Sequence, residues 1–191
     1  MSVNLILCGV GGQGTVLASK LLAGAAMNKG MTVKSAETIG MAQKGGSVVS
    51  YIHIGDDAQA PLIARGQADA ILAFEPAEAV RMLPYLKKDG AVIVNRDPVI
   101  PVNMSLAGKG YEGDDMIAYL KTKTTRVVAV DGSRACRSLG SPKVLNMVLL
   151  GKLLRENVVP FTADDMICEL SKRMKPALVE LNGRALSYEE V

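Results

Sequence analysis

Apolar residues recur along this chain with two different periods. Val3 to Cys8 is a continuous apolar run, the pattern of a strand buried on both faces. From Gly14 to Met27 the positions Val16, Leu17, Leu21, Leu22, Ala25 and Ala26 follow helical spacing. Thr32 to Ala36 reads as a short second strand, and the stretch from Glu37 to Gly46 is too rich in glycine for a helix and reads as a loop. Val48 to Ile54 alternates, with Val49, Tyr51 and His53 on one face and Val48, Ser50, Ile52 and Ile54 on the other, before Gly55-Asp56-Asp57 turns the chain. No crossover helix leads into that strand, so it is expected to run antiparallel to a neighbour.

Beyond it the pattern alternates between strand and helix. Ala70 to Phe74 is an apolar strand. Pro76 opens a helix expected to run through Leu86 and to end in Lys87, Lys88 and Gly90, and Ala91 to Val94 follows as a strand. Asp114 to Lys121 reads as a short helix with acids in its first turn, and Arg126 to Val130 as a further strand. Ser141, followed by Pro142, is a helix N-cap for a segment reaching Glu156; Thr162 to Met174 and the residues after Pro176 are helical again. With no repeat, low-complexity tract or linker, the expected fold is α/β in a single domain over residues 1–191. It has three layers, a mostly parallel sheet with an antiparallel strand, a Rossmann-like glycine turn and a helical C-terminal quarter.

The chemistry concentrates at glycines. Gly9-Val10-Gly11-Gly12-Gln13-Gly14 lies between the first strand and the first helix with dinucleotide spacing, and Thr15 adds a hydroxyl where the helix dipole favours negative charge. Glu37 stands about twenty residues further on, where a dinucleotide fold places its ribose-binding acid. That fold needs a helix between its second and third strands, and here there is a loop. Dinucleotide binding and a tight turn that only packs helix on strand therefore both stay open. The loop itself, with Gly40, Met41, Gln43, Lys44, Gly45 and Gly46, sets a carboxamide and a cation beside mobile backbone: a binding loop, or a hairpin with solvated side chains. Glu37, Glu75, Asn95 and Asp131 close inferred strands, either as the rim of a crevice or simply as strand ends and helix starts.

Composition narrows the classes. Hydrophobic residues at 49% and charged residues at 21% describe a globular chain. A net charge of +3, scattered in both signs, with 4% aromatics argues against nucleic-acid binding. Cys8, Cys136 and Cys168 are isolated, which supports neither disulfides nor a cysteine-held zinc or iron–sulfur site and fits a reducing cytoplasm. No signal peptide and no membrane span are expected. His53, the one histidine, reads as a packing or surface residue, and the ten methionines as adaptable core. Asp114-Asp115 and Asp164-Asp165 read as first-turn acids, Thr162 with Asp165 as a capping box, and Lys172 to Lys175 as a cationic helix end. No nucleophile–base pair stands out, so no catalytic residue and no metal ligand is assigned.

Taken together, "GVGGQGTVLASKLLAGAA", "KSAETIGMAQKGGSVVSYIHIG" and "ADAILAFEPAEAVRMLPYLKKDGAVIVN" resemble the gamma-type subunit of 2-oxoacid:ferredoxin oxidoreductases. The resemblance covers nearly the whole chain, including "GSPKVLNMVLLGKLL" and "KPALVELNGRAL". Lys44 departs from the arginine typical of the family, keeping attraction for an anion but losing the bidentate fork.

The resemblance implies a subunit of a complex that oxidatively decarboxylates a 2-oxoacid of the indolepyruvate or aryl pyruvate class. Such a complex passes electrons through iron–sulfur clusters to ferredoxin and delivers the acyl group to coenzyme A. Thiamine diphosphate, magnesium and the clusters are implied in partner subunits, with no cofactor bound by this chain alone and no activity in isolation; Asp131-Gly132 lacks the fuller metal-diphosphate motif of thiamine enzymes. The glycine turn and the Gly40–Gly46 loop are then expected to form one edge of the sheet that docks beside the thiamine subunit's substrate or coenzyme A entrance. The alternatives are a free-standing NAD(P)-binding oxidoreductase and a non-catalytic scaffolding module, and a homodimer is the other assembly considered for the isolated chain.

Overall fold

A computed structural model describes residues 2–39, 46–56, 60–100, 106 and 110–189. Six strands form one sheet: β1 (Val3–Val10), β2 (Val33–Ile39), β3 (Ser47–Ile54), β4 (Ala68–Ala73), β5 (Leu86–Asn95) and β6 (Val127–Val130). Their order is β2-β3-β1-β4-β5-β6. β1, β4, β5 and β6 pair in parallel, and β3 runs antiparallel to both β1 and β2. The helices are α1 (Thr15–Asn28), α2 (Pro76–Met82), α3 (Gly113–Lys121), α4 (Gly132–Leu139), α5 (Leu145–Arg155), α6 (Ala163–Arg173) and α7 (Pro176–Leu186).

The continuous apolar run of β1 follows from burial on both faces. Leu5 and Leu7 join one core with Leu21 and Leu22 of α1, Leu149 and Leu150 of α5 and Leu170 of α6. Ile6 and Cys8 join a second core with Ala79 of α2 and Ile117 and Leu120 of α3. Removing each such large side chain from water stabilises the fold by about 1.5–3 kcal/mol. The expected three layers, antiparallel strand and helical C-terminal part are all present.

Several boundaries differ from the expectation. The helix from Pro76 stops at Met82, tightens into a 3₁₀ turn at Leu83–Tyr85 and gives way to a strand at Leu86. Pro84 has no N–H to offer the preceding turn, so the α-helix cannot continue. Lys87, Lys88 and Gly90 therefore lie on β5 rather than at a helix end; a Cβ on Gly90 would crowd Leu86 at 2.6 Å and the Ala68 carbonyl at 3.0 Å beside a register shift. β2 extends to Ile39 because β3 pairs with it along its whole length, which puts Glu37 inside a strand, opposite Ser50. α4 had no counterpart in the sequence pattern. Ser141 caps a 3₁₀ turn, Pro142–Val144, and α5 follows it.

The capping readings hold. Thr162 and Asp165 form a capping box on α6, and Asp114 and Asp115 occupy the first turn of α3. Lys172 and Arg173 do more than sit at a helix end: both pair with Glu169, whose carboxylate also accepts from Asn28 of α1 at 2.9 Å. His53 is half-buried, with Ser2 Oγ 3.1 Å from its Nε2.

Candidate functional site

The parallel strands all end on one side of the sheet, and the glycine turn lies there. β1 leads into Gly11-Gly12-Gln13-Gly14, where Gly12 and Gly14 adopt φ of 99° and 86°. L residues with a Cβ avoid that region, so the turn depends on glycine at these two positions. Gly14 caps α1 without a side-chain bond, which leaves the backbone N–H groups and positive dipole end of that helix facing the edge. Gln13 is a strut: its Oε1 accepts from Val10 N at 2.7 Å, and its Nε2 donates to the Phe74 carbonyl at 3.0 Å. A side chain on Gly9 would meet Gln13 Oε1 at 2.7 Å and Phe74 Cβ at 2.8 Å. Beside the turn, Asn146 of α5 lies 3.1 Å from where a Cβ of Gly14 would stand. Thr15 is only 3% exposed, and among the described residues its hydroxyl has no hydrogen-bond partner. It lies beneath the turn rather than on its surface, unlike the exposed donor the spacing suggested.

The two glycine-rich segments meet. Gly11 N donates to the Gly46 carbonyl at 2.9 Å, so the residue that ends the second segment lies against the first. Gly40, Met41, Gln43, Lys44 and Gly45 lie outside the described residues. Glu37 is not brought to the turn. β3 occupies the place beside β1 where a dinucleotide fold has its second strand, and Glu37 sits one strand further out, about 4.8 Å more distant across the sheet. Its spacing from Gly14 suggests a place beside the turn that this strand order gives to β3 instead.

The other rim residues are tied into the framework. Asp131 caps α4 through Arg134 N at 2.8 Å, and Asn95 donates to the Phe74 carbonyl at 3.2 Å while accepting from Gly132 N at 3.2 Å. Glu75, 1% exposed, caps α2 through Glu78 N at 2.9 Å and also accepts from the Tyr111 hydroxyl. Tyr111, Ser47, Glu78 and Asn146 were missed from sequence. Only Glu78, an acid in a first turn after proline, carried a local signal; the others arrive by tertiary contact.

Burial, with Glu78 and Glu75 nearby, pushes the Cys8 thiol well up, so it stays protonated. Burial and the bond to Glu75 likewise raise the Tyr111 hydroxyl above the ordinary tyrosine range. Among the described residues no group of three His, Cys, Asp or Glu could hold a metal ion. A cleft of about 490 Å³ lies away from the glycine turn, and two ion pairs cross its lining: Lys87 with Asp69 at 2.5 Å and Arg126 with Glu156 at 3.1 Å. Among the described residues, no helix is long and apolar enough to cross a membrane.

Comparison with known proteins adds the lineage. The family model for pyruvate ferredoxin/flavodoxin oxidoreductase matches residues 4–188. Indolepyruvate oxidoreductase subunit IorB of Archaeoglobus fulgidus is 40% identical over 97% of this chain and 92% of its own length. The pyruvate/ketoisovalerate oxidoreductases common subunit gamma of Thermococcus litoralis is 27% identical over 95% of this chain and 96% of its own. The crystal structure of pyruvate oxidoreductase subunit PORC from Thermotoga maritima shares the fold, with a TM-score of 0.70 at 22% identity, covering 97% of this chain and 93% of that one. With the glycine turn, the antiparallel β3 and nearly the whole chain inside these matches, the protein belongs to the pyruvate ferredoxin/flavodoxin oxidoreductase family.

Proposed function

We propose that this chain is a non-cofactor subunit of a cytoplasmic 2-oxoacid:ferredoxin oxidoreductase acting on an aryl pyruvate, indolepyruvate foremost. The 40% identity to an indolepyruvate oxidoreductase subunit over nearly the full length of both chains carries the reading. The complex would convert a 2-oxoacid, coenzyme A and two oxidised ferredoxins to acyl-coenzyme A, carbon dioxide, a proton and two reduced ferredoxins. Thiamine diphosphate with magnesium on a partner subunit would supply the decarboxylating chemistry, and the partner's clusters the electron path. Among the described residues no group of three His, Cys, Asp or Glu could hold a metal ion, and in this reading the thiamine and cluster chemistry belongs to partner subunits.

This chain's share is shape and charge. The glycine turn and the Gly46 end of the second glycine segment form one surface at the carboxyl ends of the strands, and that surface docks on the thiamine subunit beside its substrate or coenzyme A entrance. Backbone N–H groups at the start of α1 attract an anion there, and the Lys44 cation, close by in sequence to Gly46, is the second contact of this proposal. Each is worth about 0.3–1 kcal/mol while exposed and more once docking excludes water. Excluding water and orienting the incoming thiol are the contributions this edge can make without a reactive group of its own.

The test is anaerobic capture of the chain from its own cells, with assay of the bound material for thiamine diphosphate, iron and indolepyruvate-dependent dye reduction. A large partner carrying all three is the expected result. A chain that comes out alone and binds NAD would overturn the reading.

A further inference from the structure

The described parts of three connections come together at the carboxyl edge: the glycine turn, Gly46 and Ser47 at the start of β3, and Val99 and Tyr111 between β5 and α3. Each is anchored to one short stretch, Phe74-Glu75-Pro76-Ala77-Glu78, at the junction of β4 and α2. The Phe74 carbonyl receives Gln13 of the glycine turn at 3.0 Å and Asn95 at the end of β5 at 3.2 Å. Glu78 Oε2 accepts from the hydroxyl of Ser47, next to Gly46, at 2.6 Å. Glu75 Oε1 accepts from the Tyr111 hydroxyl at 2.5 Å and from Val99 N at 3.4 Å, both on the segment after β5.

Capping explains only part of this. Glu75 Oε2 alone satisfies Glu78 N, as a serine or aspartate would. The second oxygen of Glu75 and the Oε2 of Glu78 are engaged by the loops instead. Both side chains are nearly closed off from water, at 1% and 6% exposure, so their polar atoms need partners within the protein. The N-terminus of α2 supplies such a partner for Glu75, and Arg81, 3.0 Å from Glu78, supplies it for the other.

We propose that Glu75 and Glu78 are positioning residues for the complex's reaction: by tying the three loops to the first turn of α2, they hold the carboxyl edge in the one geometry that fits coenzyme A at the entrance. The inference rests on the functional reading above, and it concerns this chain's own hydrogen bonds rather than any group on the partner.

The test uses the assembled complex with three loop variants and a pair of substitutions at Glu75. Tyr111→Phe removes one donor to Glu75, and Ser47→Ala removes the donor to Glu78, while Gly12→Val alters the glycine turn itself. Loss of one such bond is expected to raise KM for coenzyme A by about threefold to tenfold in each of the first two. Both should leave kcat at saturating coenzyme A and KM for the 2-oxoacid within about twofold of the parent. Glu75→Gln, which retains one acceptor oxygen, should fall between the parent and Glu75→Ala. If Gly12→Val shifts KM for coenzyme A and the two donor variants do not, the positioning inference is overturned and the functional reading stands. If none of the three shifts it, both are overturned. If Tyr111→Phe lowers kcat and disturbs both KM values together, the bond is merely structural and the inference falls.

Discussion

Glycine serves two different physical ends in two regions of this molecule. At the carboxyl edge Gly12 has φ of 99° and, among the described residues, no atom within 4 Å of where a Cβ would stand, so its backbone conformation is what calls for glycine. In the helical layer Gly24 of α1 and Gly151 of α5 are needed for close approach. A Cβ on the first would overlap the Glu169 carboxylate, and on the second the Leu186 carbonyl. The edge glycines shape a surface that faces outward; the layer glycines let helices meet. Substitutions in the layer should therefore act on stability, and those at the edge mainly on the function of the complex.

The largest effect is expected at Gly151. Gly151→Ala drives a methyl into the backbone of Leu186, which cannot swing aside as a side chain can, and should cost about 2–3 kcal/mol. In a thermal melt that is a drop in Tm of roughly 5–10 °C for a domain of this size. An unchanged Tm would contradict the packing of α5 on α7.

Gly12→Val tests the other half of the contrast. Left-handed backbone costs a branched residue about 1–2 kcal/mol, less than the Gly151 clash, so the variant should still fold. Its coenzyme A-dependent turnover in the complex should nonetheless fall more than that of Gly151→Ala assayed below its Tm. The reverse order of activities would break the division between shape and packing.

The Glu169 cluster sharpens the picture of the layer. Burial works to raise this carboxyl, but hydrogen bonds from Arg173 and Asn28 and the nearby Lys172 outweigh it, and the group titrates below its ordinary value of 4.5. A depressed carboxylate contributes stability above its unfolded value and loses it as pH falls through the lower folded one. Tm of the parent should thus fall more steeply below about pH 4.5 than Tm of Glu169→Gln, read by melts across the acid range. Asp165, held low first by its bond to the Thr162 backbone, contributes in the same direction and will remain in both proteins. Parallel curves would mean the Arg173 and Asn28 contacts do not form in solution.

The smallest effect is a cap at the edge. Asp131→Ala removes the acceptor for Arg134 N and should cost about 1 kcal/mol of stability by urea titration, with α4 still formed. A loss several times larger would show that Asp131 supports the edge beyond its own helix.

How far the sequence could be read depended on the range of the interaction. Strand β1, helix α1 and the capping box at Thr162 follow from patterns within a few residues, and the antiparallel sense of β3 from the lack of a crossover helix before it, so each is legible from period and turn chemistry. β5 was misread at its start because Lys87, Lys88 and Gly90 imitate a helix end, while Leu86 is in fact recruited by Ala68 in another strand. α4 escaped notice because it is short and polar on average, with Ser133, Arg134, Arg137 and Ser138 among its eight residues, although Ala135, Cys136 and Leu139 give it a narrow apolar face on the core. Glu37 was misplaced for a similar reason: its distance along the chain from Gly14 says nothing of β3 coming between.

The chain by itself settles the α/β class, the strand–glycine turn–helix unit and the family pattern, since these follow from local periodicity, glycine spacing and motif order. Only the tertiary structure decides that β3 separates β1 from β2, that Gly46 meets Gly11, and that Phe74 to Glu78 gathers three loops. Each of those depends on groups far apart in sequence whose hydrogen bonds form only once the sheet has set its strand order, and no local preference encodes that order.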